Sequence, residues 1–382
     1  MKKILVVHNR YQLTGGEDIA VDNEIEILKK HFQVKALLFD NKIVSKFKFL
    51  KLIFTLKNRD SIAELQKVYT EFNPDYVYIH NTWFNASLEI FSFLEKKQAN
   101  VVLKLHNFRY DCTQHFKSKN HLNNKKICPA CGYRYKKLQY FNKYFEDSYA
   151  KSLFVFLYGR KYIKILLNSN FKIAVLTKFH SDHLINFGLD IARLEIVPNI
   201  ITNKPIVKSG KMDKSFVYAG RISNEKGLNE LIHAFNEVDV KEMKLKIVGD
   251  GPILEQLIQK NKNKNIEFLG QVSNEEVKEI ISESTAVITA TKLLEGQPTL
   301  LHEASLLKKP SIYPKTGGLS EFFPDDDPYS FEQFNYDQLA EKLRLLVTDI
   351  DRSQQIGEKN YNFIMKNLSI EIIKEKYLKL FK

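Results

Sequence analysis

Apolar and polar positions along the chain follow two rhythms. Short apolar runs end in polar or small residues, and longer stretches with apolar positions three to four apart separate them. The first run, residues 4–8, closes on His8, and near-continuous apolar runs of this kind are typical of strands buried on both faces. A Gly15-Gly16 loop follows, then a helical stretch over about 19–31 with Ile25 and Leu28 on its buried side. Runs at 34–39, 75–80, 101–106, 172–176 and 194–197 predict further strands. The pattern restarts at 215–219, with a loop at 220–227 and a helix over about 228–237. Strands at 244–248, 266–268, 286–289 and 310–313 come next, and helices near 353–365 and 370–381 follow them.

Alternation of strands and helices predicts doubly wound α/β sheets, here two of them. Residues 198–214 are polar, carry Pro205 and Gly210 and lack periodicity, which marks a linker. The expected division is an N-terminal Rossmann-like domain at 1–199 and a C-terminal one at 200–365. Residues 366–382 would form a terminal helix packing back on the first domain. A chain of 382 residues is long enough for two such cores. No run approaches the roughly 20 apolar residues of a membrane span. Met1-Lys2-Lys3 resembles a secretory leader for only a few residues before a strand pattern takes over. Three cysteines give no disulfide framework and point to a reducing compartment, hence the cytoplasm.

The candidate chemistry centres on the run TKLLEGQPTLLHEAS, which carries Glu295 and Glu303. A strand leads into it and a helix starts near Pro298, a residue suited to the first helical position. The amides of Thr299 and Leu300 would then face an anion. Carboxylates accept hydrogen bonds from hydroxyls, so a phosphate flanked by hydroxyls, as in a nucleotide sugar, fits. Glu303 lies among Leu300, Leu301, Ala304 and Leu307, where a carboxylate needs a partner. Glu295 also has a plainer reading, a carboxylate favoured by a helix N-terminus. Arg221 and Lys226 flank a loop closed by Gly220 and Gly227. They would neutralise a diphosphate without a metal, or else form a solvated turn. Gly15-Gly16, Asn107, Thr177-Lys178, Arg221, Lys226, Gly249-Asp250-Gly251 and Glu295 all fall at predicted C-terminal strand ends, where ligands bind open parallel sheets.

The runs FVYAGRISNEKGLNELIHAF, KIVGDGP and EGQPTLLHEASLLKKPSIYPKTGGLSE resemble the donor-binding half of retaining glycosyltransferases of family 4, the group 1 transferases of GT-B fold. TGGED, LKLHNFR and VPNI match more weakly in the first half. The resemblance implies two Rossmann-like domains facing across a cleft. It places Arg221 and Lys226 on the donor diphosphate, Glu303 on the ribose and Glu295 on the transferred sugar. Gly249, Gly296, Gln297, Pro298, Thr299 and Leu300 would line the donor. Gly15 and Gly16 would lie near the donor and the incoming acceptor, Asn107 would bind substrate, and His106 would sit beside the reacting sugar. Lys309, Gln297 and Ile200 stand where the family more often has glycine, phenylalanine and glycine. The implied donor is a UDP- or GDP-sugar and no cofactor is required.

Between Lys104 and Lys172 fifteen Lys or Arg oppose three acids, a balance of +12 against +13 for the whole chain, with fifteen aromatics interleaved. Nucleic acid, an anionic membrane surface or a solvated face over an aromatic stripe are the readings. The resemblance favours the membrane, which would present a lipid-linked acceptor at its inner face, and no nucleic acid. Cys112, Cys128 and Cys131 form a Cys…C-x-x-C run within this segment: a structural zinc site completed by His106, His115 or His121, or three free thiols. The expected function is retaining, metal-independent transfer of a hexosyl group to a glycan, a lipid-linked surface polysaccharide precursor. The alternatives are a non-catalytic nucleotide-sugar-binding subunit and a GT-B-type epimerase or phosphorylase.

Overall fold

The computed structural model describes residues 1–11, 16–41, 55, 57–108, 110, 149–201, 213–239 and 242–382. Gly15 and the three cysteines lie outside them, as do His115, His121 and most of the basic segment. The chain divides into two units, Met1–Ile200 with Ile373–Lys382, and Ile201–Ile372.

Unit 1 is a six-stranded parallel sheet in the order β2-β1-β3-β4-β5-β6. Its strands are β1 (Lys3–Asn9), β2 (Gln33–Phe39), β3 (Tyr76–Ile79), β4 (Val101–Leu105), β5 (Lys172–Val175) and β6 (Leu194–Ile196). Ile4 to Val7 are fully buried, as a strand covered on both faces requires. The helices are α1 (Gly16–Lys29), α2 (Arg59–Phe72), α3 (Glu89–Lys96), α4 (Tyr149–Asn168) and α5 (Lys178–Asn186). Strand order reverses between β1 and β3, so the ligand crevice of such a sheet falls at their C-terminal ends. Phe154, Tyr158 and Tyr162 of α4 are core residues, and Lys104 is fully buried.

A helix from the far end of the chain, α12 (Ile370–Leu380), completes this unit. Ile373, Tyr377, Leu380 and Phe381 recur at helical spacing and all are buried. The Phe381 ring meets Phe32, Tyr76 and Tyr78 edge-on at 5.7, 5.6 and 5.3 Å. Lys2 Nζ donates to its carbonyl at 3.0 Å.

Unit 2 is a second six-stranded parallel sheet, ordered β12-β11-β10-β7-β8-β9. Its strands are β7 (Ser215–Ala219), β8 (Lys244–Val248), β9 (Ile266–Gly270), β10 (Ala286–Ile288), β11 (Ser311–Lys315) and β12 (Ser330–Glu332). Traced from β9, this is the dinucleotide-fold order with its switch point between β7 and β10. The helices are α6 (Leu228–Asn236), α7 (Leu254–Lys260), α8 (Asn274–Glu283), α9 (Thr299–Leu306), α10 (Tyr336–Thr348) and α11 (Ile350–Leu368). Alternation along β7 feeds two cores: Phe216 and Tyr218 face the α6 and α10 side, and Val217 packs with Leu301, Ala304 and Ile364. Among the described residues no helix is long and apolar enough to cross a membrane.

Candidate functional site

In each sheet the candidate residues lie beyond the C-terminal ends of the strands, at or next to the switch point. In unit 2, close backbone approaches set the loops. A Cβ on Gly249 would meet the Gly220 carbonyl oxygen at 2.0 Å, and one on Gly227 would meet that of Ala290 at 2.0 Å. A Cβ on Gly317 would meet that of Glu295 at 2.1 Å. Gly227 (φ 73) and Gly249 (φ 133) also hold backbone conformations that favour glycine. The Glu295 carbonyl accepts from the Gly318 amide at 2.9 Å, and Thr316 Oγ1 donates to Leu293 at 2.9 Å. The loop after β10 is therefore anchored on both sides of the Glu295 side chain.

Lys226, in the 3-10 turn Asn224–Lys226, donates from Nζ to Glu295 Oε1 at 2.7 Å. Thr291 Oγ1 donates to the same oxygen at 2.8 Å. Lys226 and Glu295 are 28% and 21% exposed, so the pair sits at a mouth open to solvent. Two residues read separately in the sequence are thus one ion pair. Arg221, just past β7, is exposed, and its guanidinium makes no ion pair among the described residues. Its carbonyl accepts from Tyr218 Oη at 2.9 Å.

Pro298 is the N-cap of α9 rather than its first helical residue; at ψ 111 it is extended, so Thr299 opens the helix. No side chain caps this end, and the Thr299 and Leu300 amides, lying in the first turn, have no intrahelical acceptor. Gly296 and Gln297 are buried before the helix. Gln297 Nε2 donates to His302 Nδ1 at 3.1 Å, and burial lowers the His302 pKa to about 4, so that ring is neutral. Lys309 is also buried and donates to the Ser284 carbonyl at 2.7 Å. Two of the three departures from the family pattern, Gln297 and Lys309, therefore have structural partners. On α9, burial pushes the Glu303 carboxyl up to about 7 against a weaker opposing pull from Lys278. No described residue donates a hydrogen bond to it.

In unit 1, His106 and Asn107 follow β4 and line a small pocket with Glu17, His80, Asn81 and Trp83. Glu17 Oε2 accepts from Asn107 Nδ2 at 3.2 Å and Tyr11 Oη at 2.7 Å. Gly16 is the exposed first residue of α1. Beneath the pocket lies a buried polar cluster that the sequence reading missed. Lys104 Nζ donates to Glu24 Oε1 at 2.6 Å and also bonds Tyr377 Oη; Tyr78 Oη donates to Glu24 Oε2 at 2.8 Å. His80 Nδ1 and His106 Nε2 share a hydrogen bond of 2.9 Å. Burial holds both imidazoles well below the usual histidine range, with neighbouring charges adding to it. The signal was present: Lys104 is a lone charge within VVLKL, and a buried ammonium needs a carboxylate. Glu24, His80 and His106 offer ligand atoms within 4.8 Å of one another. Lys104 already balances the Glu24 charge there, so a divalent cation would add uncompensated positive charge to the interior.

Residues 199–363 match the family model Glycosyl transferases group 1. A glycosyltransferase of Methanocaldococcus jannaschii is 26% identical over 213 residues, 54% of this chain and 58% of that protein. The poly(ribitol-phosphate) alpha-N-acetylglucosaminyltransferase of Staphylococcus aureus is 26% identical over 230 residues, 58% of this chain and 46% of that protein. The chain thus spans about half the length of the curated relatives it matches. The Anabaena protein HepE, solved in complex with UDP-glucose, superposes with a TM-score of 0.69 at 13% identity over 99% of both chains. The chain has the two-sheet GT-B glycosyltransferase fold, and the segment at 199–363 carries its match to the group 1 family.

Proposed function

We propose that this chain is a retaining glycosyltransferase of family 4 that moves a hexosyl group from a UDP- or GDP-sugar to a glycan. The observation that carries the reading is the Lys226–Glu295 pair at the β7/β10 switch point, with exposed Arg221 on the same strand end and an uncapped α9 N-terminus following Glu295. Arg221 and Lys226 take the diphosphate, with the Thr299 and Leu300 amides of α9. Phosphate competes with Glu295 for Lys226 and releases that carboxylate to hydroxyls of the transferred sugar. Glu303 accepts from the ribose. Gly249, Gly296, Gln297 and Pro298 supply close-fitting backbone. In unit 1 the pocket of His106 and Asn107, with the loop of Gly15 and Gly16, serves the reacting sugar and the acceptor. Charge building on the leaving diphosphate is stabilised by the two cations, which were in place before reaction.

The acceptor is a lipid-linked surface polysaccharide precursor reached at the inner face of the cell membrane. The basic balance of residues 104–172 supports this, as does a relative named for transfer to poly(ribitol phosphate). A thermal-shift titration with UDP, GDP, ADP and their sugars tests the donor side. One nucleotide diphosphate should stabilise the protein, and less so in Arg221→Ala. No stabilisation by any of them would sink the reading. Co-sedimentation with anionic vesicles at low and high salt tests the membrane; pelleting that ignores lipid would remove it.

A further inference from the structure

The buried cluster under the unit 1 pocket determines which lone pair that pocket presents. His80 Nδ1 and His106 Nε2 lie 2.9 Å apart, so one donates and the other accepts. The distance alone leaves the direction open. The other nitrogen of His80 settles it. Nε2 of His80 is buried, has no hydrogen-bond partner among the described residues, and lies 3.8 Å from Glu24 Oε2. That separation is too long for a hydrogen bond, but its electrostatic sign is clear. A ring N–H aimed at a carboxylate is favoured, and a ring lone pair aimed at it is repelled. Glu24 accepts from Lys104 Nζ at 2.6 Å and from the Tyr78 hydroxyl at 2.8 Å. Other titratable groups near the rings are His8, bonded to Asp18 at 2.8 Å and edge-on to His80 at 6.0 Å, His180, and Lys104 itself.

We propose that Glu24 is a positioning residue that fixes His80 as the Nε2–H tautomer, which in turn fixes His106 as Nε2–H and leaves the His106 Nδ1 lone pair for a ligand hydroxyl. With its proton on Nε2, His80 offers Nδ1 as an acceptor. His106 must then donate from Nε2. Its Nδ1, shielded from water and without a partner among the described residues, is left as an acceptor. A neutral imidazole in this state accepts from a sugar hydroxyl and repels a carboxylate or phosphate oxygen. The ligand class rests on the glycosyltransferase reading; the tautomer does not.

The test therefore reads the tautomer without any substrate. Protein carrying ¹⁵N-labelled histidine is studied by long-range ¹H–¹⁵N correlation, with His80→Gln and His106→Gln spectra for assignment. In the native protein both rings should show the proton on Nε2, unchanged between about pH 5.5 and 8, since both stay neutral. In Glu24→Gln/Lys104→Met, which removes both charges and keeps the interior neutral, His80 should lose its single tautomer and His106 should follow. A native His106 with its proton on Nδ1 overturns the proposal, and so do unchanged spectra in the folded double variant. If the double variant does not fold, the native spectrum decides alone. A failed donor titration with the predicted tautomers intact would remove the transferase reading and leave this one standing.

Discussion

Two lysine–glutamate pairs of almost equal length do opposite work in the two units. Lys104–Glu24 spans 2.6 Å and Lys226–Glu295 spans 2.7 Å. The first pair is 0% exposed on both sides; the second is 28% and 21% exposed. Inside unit 1 neither charge has an alternative, because an ion stripped of water and of its partner costs several kcal/mol. At the mouth in unit 2 water or a ligand anion replaces either partner at little cost. Burial, not the bond itself, makes one pair structural and the other exchangeable.

The sharpest way to break this contrast is Lys104→Met. It leaves the Glu24 carboxylate buried and unpaired, so stability should fall by about 3–5 kcal/mol in urea unfolding. A loss below about 1 kcal/mol would place this pair in the class of surface pairs. Next in size, Arg221→Ala combined with Lys226→Ala should cut transfer at least about a hundredfold, about 3 kcal/mol of barrier. Its unfolding free energy should move by no more than about 1 kcal/mol. Near-normal turnover would end the donor assignment.

The smallest effect concerns pH. Burial pushes the Glu303 carboxyl up to about 7 against an ordinary 4.5. A raised carboxyl favours the folded state at low pH, so this contribution is lost as pH rises from about 4.5 through 7. Ribose hydroxyls favour the ionised form. Affinity for the nucleotide should therefore rise about tenfold between pH 6 and 8, read by calorimetry, and the rise should vanish in Glu303→Gln. A flat profile in the native protein would remove the ribose from Glu303.

The elements legible in the sequence were those with strong local patterns. Apolar runs such as 4–8 and 215–219 became β1 and β7 because both faces of a parallel strand are covered. Glycines at strand ends marked the close-approach loops. β12 went unseen because only Phe331 of its three residues is buried, which leaves no period to read. Pairings were harder. Lys104 meets Glu24 across 80 residues and Tyr377 across 273, distances no local pattern encodes. Lys226 and Glu295 carried plausible separate roles, and their loops are brought together by the approach of Gly227 to Ala290 and by the Lys292 amide donating to the Glu225 carbonyl at 2.9 Å. Gln297 and Lys309 looked like losses from a motif, whereas each has its own buried partner.

The placement of Tyr377 has a consequence for biosynthesis. Lys104 and Glu24 leave the ribosome early, but the hydroxyl that completes their cluster lies beyond all of unit 2. At about 5–20 residues per second, the 172 residues from Ile201 to Ile372 take roughly ten to thirty seconds to make. For that interval the nascent first unit carries a charged cluster open on one side and an apolar seat for Phe381 with no occupant. Unit 2, in contrast, is one continuous segment, Ile201–Ile372. It can close before the helix that completes unit 1 has been made.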